Sequence, residues 1–294
     1  MSQIFGFLNI DKPLNVTSHD IVARIRRELG VRKVGHAGTL DPLATGVLVM
    51  CLGSATRLSE YVMHTTKRYL AQVHFGISTT TDDAEGVITD ERDASHLTRS
   101  AVEAALPAFT GAIMQTPPDY SAIKLGGRKA YELARAGKPT DLRPRQVQID
   151  ALRLDDWQPP VALLDVTCSS GTYIRSLARD LGAALGTGAY LSGLRRMMSG
   201  CFRIEDAHSL DAVLADPDWR RHLIGAERAL PDWRRVLLDA EASVIVGHGG
   251  AVTLDADDIR AGELALAFAS GGALLAVIRA EGDQWVPQKV FWRD

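Results

Sequence analysis

GHAGTLDPLATG, residues 35 to 46, is too rich in glycine to hold regular structure, and the apolar run after it, VLVMCL from Val47 to Leu52, reads as a buried strand. The segment is a loop delivered onto a sheet. Within it Asp41 stands between glycines and ahead of a proline, on irregular backbone, the kind of scaffold-held loop where catalytic groups concentrate. Taken alone, Asp-Pro fits an Asx turn equally well.

Working outward, the chain opens with an apolar run from Ile4 to Ile10, turns through KPLNVTS, and continues with Ile21, Val22, Ile25 and Leu29 at helical spacing. Ser18 is expected to cap that helix and Gly30 to end it. Downstream, residues 68–76 alternate as a strand, TTTDDAEG (79–86) makes a turn, and 101–109 is helical in pattern. Residues 117–148 are rich in Pro, Gly and bases and read as an insertion around one short helix at 128–136. Strands are expected at 147–154 and 161–168. A helix is expected over 172–185, with Ile174, Leu177, Leu181 and Leu185 on one face. Strands and helices without a βαβ rhythm imply an α+β fold around a mixed, mainly antiparallel sheet. An acidic, Trp-bearing connection from about Asp206 to Trp233 leads to a tail of short strand candidates from Ala242 to Trp292. The expected division is 1–234 and 235–294.

The 294 residues are 46% hydrophobic and 23% charged, enough to bury a full core and more than one compact domain usually needs. Cys51, Cys168 and Cys201 are far apart in apolar stretches, with no CxxC pair and no histidine at zinc spacing, so they read as buried thiols in a reducing compartment. The N-terminus lacks the basic start and apolar run of a signal peptide, and no run reaches membrane-span length. The expected location is the cytoplasm. No P-loop, paired-carboxylate motif or metal cluster supports a phosphotransferase or glycosidase.

The formal charge of -3 weighs against a polyanionic partner, yet it is unevenly spread. Lys12, Arg24, Arg26, Arg27, Arg32 and Lys33 face only Asp20 and Glu28 between residues 12 and 33. Between 117 and 148, Lys124, Arg128, Lys129, Arg135, Lys138, Arg143 and Arg145 face Asp119, Glu132 and Asp141. Each stretch nets +4, which fits either solvated helix faces or grips on phosphate.

Five segments occur in a fixed order: GFLNIDKPLNVTS (6–18), GHAGTLDPLATG (35–46), KRY (67–69), YSAIK (120–124) and CSSGTYIRSLARDLG (168–182). In these the chain resembles the bacterial TruB family, the tRNA pseudouridine-55 synthases, from about residue 5 to 202. The resemblance implies an α+β catalytic domain, a thumb-like insertion at about 117–148 and a small β-rich PUA-like C-terminal domain. It implies that the enzyme extrudes a uridine from the T loop of tRNA. Asp41 would be the essential carboxylate, Tyr69 the aromatic that stacks on the uracil, and Arg175 the guanidinium that pairs with Asp41 and fixes its orientation. His36 would enter the RNA and hold the flipped arrangement. Asp83 matches an acidic position near this network and Leu194 a hydrophobic support. Lys12 and Tyr173 are expected to shape the site, Lys12 also as a candidate RNA contact.

Isomerising uridine involves no net redox change and no hydrolysis, so the resemblance implies no ATP, metal or redox cofactor. It also implies contact of the C-terminal domain with the acceptor end of tRNA, and possible help in tRNA folding. The insertion favours stand-alone action, without an obligatory protein partner, over the guide-RNA-dependent dyskerin type, and a monomer is the default expectation. Two departures from the family pattern stand out: Asn15 where glycine is usual, and a threonine run where an aspartate often precedes Asp83.

Overall fold

The computed structural model describes residues 4–121, 123–253 and 259–291; Ala122 of YSAIK and Trp292 at the end of the tail lie outside them. The helix Ser18–Glu28 begins one residue earlier in its capping than expected. Thr17 is the cap: its hydroxyl accepts from the Asp20 amide at 3.1 Å, while the Asp20 carboxylate accepts from the Thr17 amide at 3.0 Å. Ser18 is buried instead, and its hydroxyl bonds both the amide and the carbonyl of Leu40 at 2.9 Å. Gly30 follows the last turn with φ 66°, as the left-handed stop requires. Asn15 takes φ 60°, a conformation asparagine tolerates better than most residues.

Among the described residues the largest sheet has ten strands. Its main path runs His208–Ser209, Phe5–Lys12, Ala44–Gly53, Ala189–Ser199, Lys67–Phe75, Val161–Cys168, Arg145–Gln158 and Gly111–Gln115. Val34–His36 pairs with Ala44–Gly53, and Phe202–Arg203 with Ala189–Ser199. Pairing is antiparallel except between His208–Ser209 and Phe5–Lys12 and between Ala189–Ser199 and Ala44–Gly53, so the fold is α+β with a mixed sheet. The central strand Ala189–Ser199 has no clear alternation in sequence, because Gly193, Arg195 and Arg196 interrupt it.

The helix Ser18–Glu28 buries Ile21, Val22 and Ile25 against Leu8, Ile10, Leu48 and Met50. The helix Ile174–Ala184 buries Ile174, Leu177, Ala178 and Leu181 against Ala71, Phe75, Leu164 and Val166. Tyr69 and Leu194 pack against both clusters and therefore mark the seam between them. Side chains alternate across a strand, so Phe7, Val47, Val49 and Cys51 face the other way. There they share a core with Leu266, Phe268 and Val277 of a second, five-stranded sheet.

That second sheet runs Arg234–Leu238, Leu264–Ala269, Leu274–Glu281, Gln284–Val290 and Val252–Thr253. The helix Ala240–Gly247, capped by Asp239, covers part of its other face through Val246. Polar contacts reinforce the joint: Arg57 donates to the Val290 carbonyl at 2.5 Å and Lys289 to the Arg57 carbonyl at 2.6 Å. The tail thus packs on the back of the main sheet.

Candidate active site

The loop carrying Asp41 is held at nearly every residue. Leu40 is fixed by Ser18. The Pro42 carbonyl accepts from the Asn15 amide at 2.9 Å and lies 3.4 Å from the Lys12 ammonium. Asp41 itself closes a turn through its carbonyl to the Ala44 amide at 3.0 Å. Gly46 is there for close approach: a Cβ on it, at φ 95°, would lie 2.3 Å from the Arg196 carbonyl oxygen. With its backbone so constrained, the Asp41 carboxylate is the part left to solvent, 39% exposed.

Arg175, at the start of the helix Ile174–Ala184, meets that carboxylate from below. Its Nε lies 3.1 Å from Asp41 Oδ2 and its Nη1 lies 3.5 Å from Asp83 Oδ2, with the guanidinium 7% and Asp83 3% exposed. Nη1 also reaches the Thr81 carbonyl at 3.3 Å, and Nη2 the Tyr120 carbonyl at 2.9 Å. Charge-assisted hydrogen bonds in several directions fix a planar fork far better than one contact would. The threonine run takes part, since the Thr81 hydroxyl donates to Asp83 Oδ1 at 2.5 Å and the Glu85 amide donates to the same oxygen at 3.0 Å. Glu85 lies nearby with its carboxyl pushed up, first by partial burial and then by the charges of Asp83 and Asp41.

The remaining expected residues group around this pair. Tyr69 is half-buried at the seam, and burial raises its phenol, opposed by the nearby charge of the Arg196 guanidinium. Leu194 lies beside it, in register with Ala71 on one neighbouring strand and Ala44 on the other. Tyr173 precedes Arg175; its backbone is gripped on both sides by Gln115, which accepts from its amide at 2.8 Å and donates to its carbonyl at 3.0 Å. The Arg145 guanidinium lies 5.1 Å from the centre of the Tyr173 ring. His36 ends the strand Val34–His36, half-buried, with no hydrogen-bond partner for Nδ1 among the described residues. Burial, then the charges of Arg196 and His19, lowers its pKa, which favours the neutral imidazole. Lys12 is fully buried, donating to the carbonyls of Pro13 at 2.9 Å and Val16 at 2.5 Å as well as Pro42. Burial pushes it down to about 8 despite the opposing pull of Asp41 and Glu85. Its hydrogen bonds go to backbone, in the wall of the site.

Two residues that the motifs did not single out stand in the same network. Gln115 is 1% exposed and ties the strand Gly111–Gln115 to the Arg175 helix. Arg196 is 1% exposed and donates from Nε to the Val47 carbonyl at 2.6 Å, from Nη2 to Gly38 at 3.0 Å and from Nη1 to Thr39 at 3.4 Å. Its signal in the sequence is an arginine two residues after Leu194, on the same inward face of a strand.

The two basic stretches differ in the folded chain. In the first, Arg24 is paired with Glu28 and Asp211, and Arg27 with Glu28, while Arg32 and Lys33 are exposed. In the second, Lys124, Arg128, Arg135, Lys138 and Arg143 are exposed, around a two-strand hairpin, Lys124–Leu125 with Arg128–Lys129, and the helix Ala130–Arg135. No group of three or more His, Cys, Asp or Glu is arranged to hold a metal among the described residues, and none of their helices is long and apolar enough to cross a membrane.

Residues 26–174 match a family model described as TruB family pseudouridylate synthase (N terminal domain), and residues 175–244 match one described as tRNA pseudouridylate synthase B C-terminal domain. The chain is 51% identical over 217 residues to the tRNA pseudouridine synthase B of Symbiobacterium thermophilum, covering 73% of each. It is 43% identical over 295 residues to that of Arthrobacter sp. (strain FB24), covering 97% of this chain and 96% of the other. Among solved structures, a chain of a Cbf5-Nop10-Gar1 complex is similar with a TM-score of 0.77 at 28% identity, over 98% of this chain and 85% of that one. A chain of an H/ACA RNP bound to a substrate RNA containing 2'-deoxyuridine gives 0.75 at 26%, over 98% and 86%.

Proposed function

Because the chain belongs to the TruB family of pseudouridylate synthases, we propose that it isomerises uridine 55 in the T loop of tRNA to pseudouridine, with Asp41 as the essential carboxylate. The observation that carries this reading is a partly exposed Asp41 on a tethered loop, 3.1 Å from the Nε of a buried Arg175. In the reaction the C1′–N1 bond breaks, the uracil turns, and C5 joins C1′. C5 loses a proton and N1 gains one, so atoms and electrons balance without a co-reactant. Asp41 acts on the ribose or the ring as an aimed anion; Arg175 holds it in place, and Asp83 holds Arg175. Tyr69 offers the freed uracil a platform worth on the order of 1–3 kcal/mol, which lets it turn without escaping.

His36, five residues before Asp41, enters the space the uridine leaves in the stacked RNA. Lys12 and Tyr173 shape the walls, and Leu194 supports Tyr69 from the seam. The exposed bases between 124 and 143 grip tRNA phosphates near the T arm. Residues 1–234 form the catalytic domain and 235–294 a PUA-like domain directed to the acceptor end. The chain acts in the cytoplasm as a monomer, without a cofactor or an obligatory protein partner, and can also assist tRNA folding.

The test is site-resolved mapping of an unmodified tRNA transcript incubated with the purified chain alone. One new pseudouridine at position 55 is expected. Product at another position would overturn the substrate assignment, and no product would overturn the catalytic one.

A further inference from the structure

Arg179 stands one helical turn after Arg175, so the two side chains leave the same face of the helix Ile174–Ala184. Both span the same two segments. Arg175 meets the Thr81 carbonyl and the Asp83 carboxylate on one side and the Tyr120 carbonyl on the other. Arg179 donates from Nη1 to the Asp82 carboxylate at 2.8 Å and from Nη2 to the Thr116 carbonyl at 2.9 Å, while its Nε meets Asp180 at 2.9 Å. Three consecutive residues of the turn, Thr81 to Asp83, are thus shared between two arginines. Asp82 lies at φ 59°, a left-handed conformation that aspartate adopts more readily than most residues, immediately before the enclosed Asp83. Backbone bonds with Leu191 stitch the turn to the sheet: the Leu191 amide donates to the Asp82 carbonyl at 3.0 Å and the Ala84 amide to the Leu191 carbonyl at 3.1 Å. Among the described residues, the polar contacts that tie the turn to the helix come from the two arginines.

We propose that Arg179 and Asp82 form a positioning latch that fixes the acidic turn on the helix, so that Asp83 holds the Arg175 guanidinium where it aims Asp41. Arg175 alone has to answer Asp41, the turn and Tyr120 with one planar fork. The latch takes part of that load: with Asp82 pinned one helical turn away, the Thr81 carbonyl and the Asp83 carboxylate reach Arg175 at a set height along the helix. Its second partner, Thr116, also accepts from the Ser176 hydroxyl at 2.8 Å and follows Gln115, so the latch closes on a segment that is itself tied to the start of this helix. An arginine can span the Asp82 carboxylate and the Thr116 carbonyl together because its fork presents two nitrogens at a fixed separation. This rests on the functional reading above, so the wild-type chain and Asp41→Asn are run beside every variant.

The experiment measures single-turnover conversion of a tRNA transcript at saturating enzyme, and tRNA affinity against salt, for Arg179→Met, Asp82→Gly, Asp82→Asn and the double variant of the first two. A misplacement of about 1 Å at the reacting groups costs on the order of 10²-fold in rate; the latch acts one layer behind Arg175, so Arg179→Met is expected to lose about tenfold with affinity within about threefold. Glycine and asparagine both accept the backbone of Asp82, so they separate the side chain from the conformation. Asp82→Gly should lose about tenfold, and Asp82→Asn, whose amide oxygen still accepts from Arg179, about threefold. The double variant should be little slower than either single one, because both cut one linkage. An unchanged rate in Arg179→Met would overturn the proposal and leave a pair that serves stability alone. Losses that multiply in the double variant would also overturn it, as would weaker binding with a flattened salt slope and an intact rate, the mark of a phosphate contact. If Arg179→Met does not fold, Asp82→Gly decides alone: an unchanged rate refutes the latch. A wild-type chain that makes no pseudouridine defeats the functional reading first, and this inference with it.

Discussion

Lys67 is 4% exposed, and its ammonium donates to the carbonyls of Met63 and Thr65 and, at 3.3 Å, to the Thr65 hydroxyl, with no carboxylate in this set. Burial first, then the charge of Arg196, pushes it from its ordinary value of 10.5 down to about 8. Between those values the unfolded chain holds a proton that the folded chain has released, so the unfolding free energy contributed by this residue rises with pH. Below pH 8 both states are protonated and the cost of the buried charge is fully present; above it the cost is progressively relieved. From pH 7 to 9.5 the gain amounts to about 2 kcal/mol. Lys67→Met removes the titration while keeping the length of the side chain, and the donor it takes from the two carbonyls is a loss that does not vary with pH. Urea unfolding of both proteins at pH 7 and 9.5 therefore isolates the effect. The wild type should gain about 2 kcal/mol on the variant over that interval. A difference that stays constant within about 0.5 kcal/mol would refute the account of Lys67 as a buried, weakly compensated cation.

Gly46→Ala places a methyl 2.3 Å from a backbone oxygen at φ 95°, whereas Gly30→Ala, at φ 66°, meets nothing within 4 Å. The first should cost about 3 kcal/mol or more in urea unfolding and the second about 1 kcal/mol, from backbone strain alone. Replacing Lys138 and Arg143 together with alanine should weaken tRNA binding and flatten the slope of log affinity against log salt by about 0.9 for each phosphate that is no longer neutralised; an unchanged slope would remove them from the grip.

Much of the site was legible in the sequence because it lies in short ordered segments. Asp41 stands on an irregular loop that alone fits an Asx turn equally well, and the resemblance carried by the ordered segments is what singles it out; Asn15 is readable as a left-handed position. The arrangement behind them was less so. The motifs do not single out Arg196, and Lys12 reads as a residue of the site and a candidate RNA contact rather than as an enclosed cation, since nothing local says that a cation will be surrounded by backbone carbonyls. Ser18 looked like a helix cap, yet tertiary packing gave that place to Thr17 and used Ser18 on Leu40. The strand Ala189–Ser199 was hidden because its arginines break the alternation that marks a strand, although those arginines are there for the neighbouring loop and for Asp11. Glycines 38 and 46 were visible as a motif, but the reason for Gly46 became clear only with the strand that packs against it.

The most direct test of the central claim is single-turnover conversion by Asp41→Asn with tRNA affinity measured in parallel. The substitution keeps the shape of the side chain and removes its charge, while Arg175 and the tethers of the loop remain. The account predicts no pseudouridine above background with affinity within about threefold of wild type, because the removed charge acts on the reacting nucleotide and adds little to binding. Conversion within about tenfold of the wild-type rate would contradict it and move the chemistry away from Asp41.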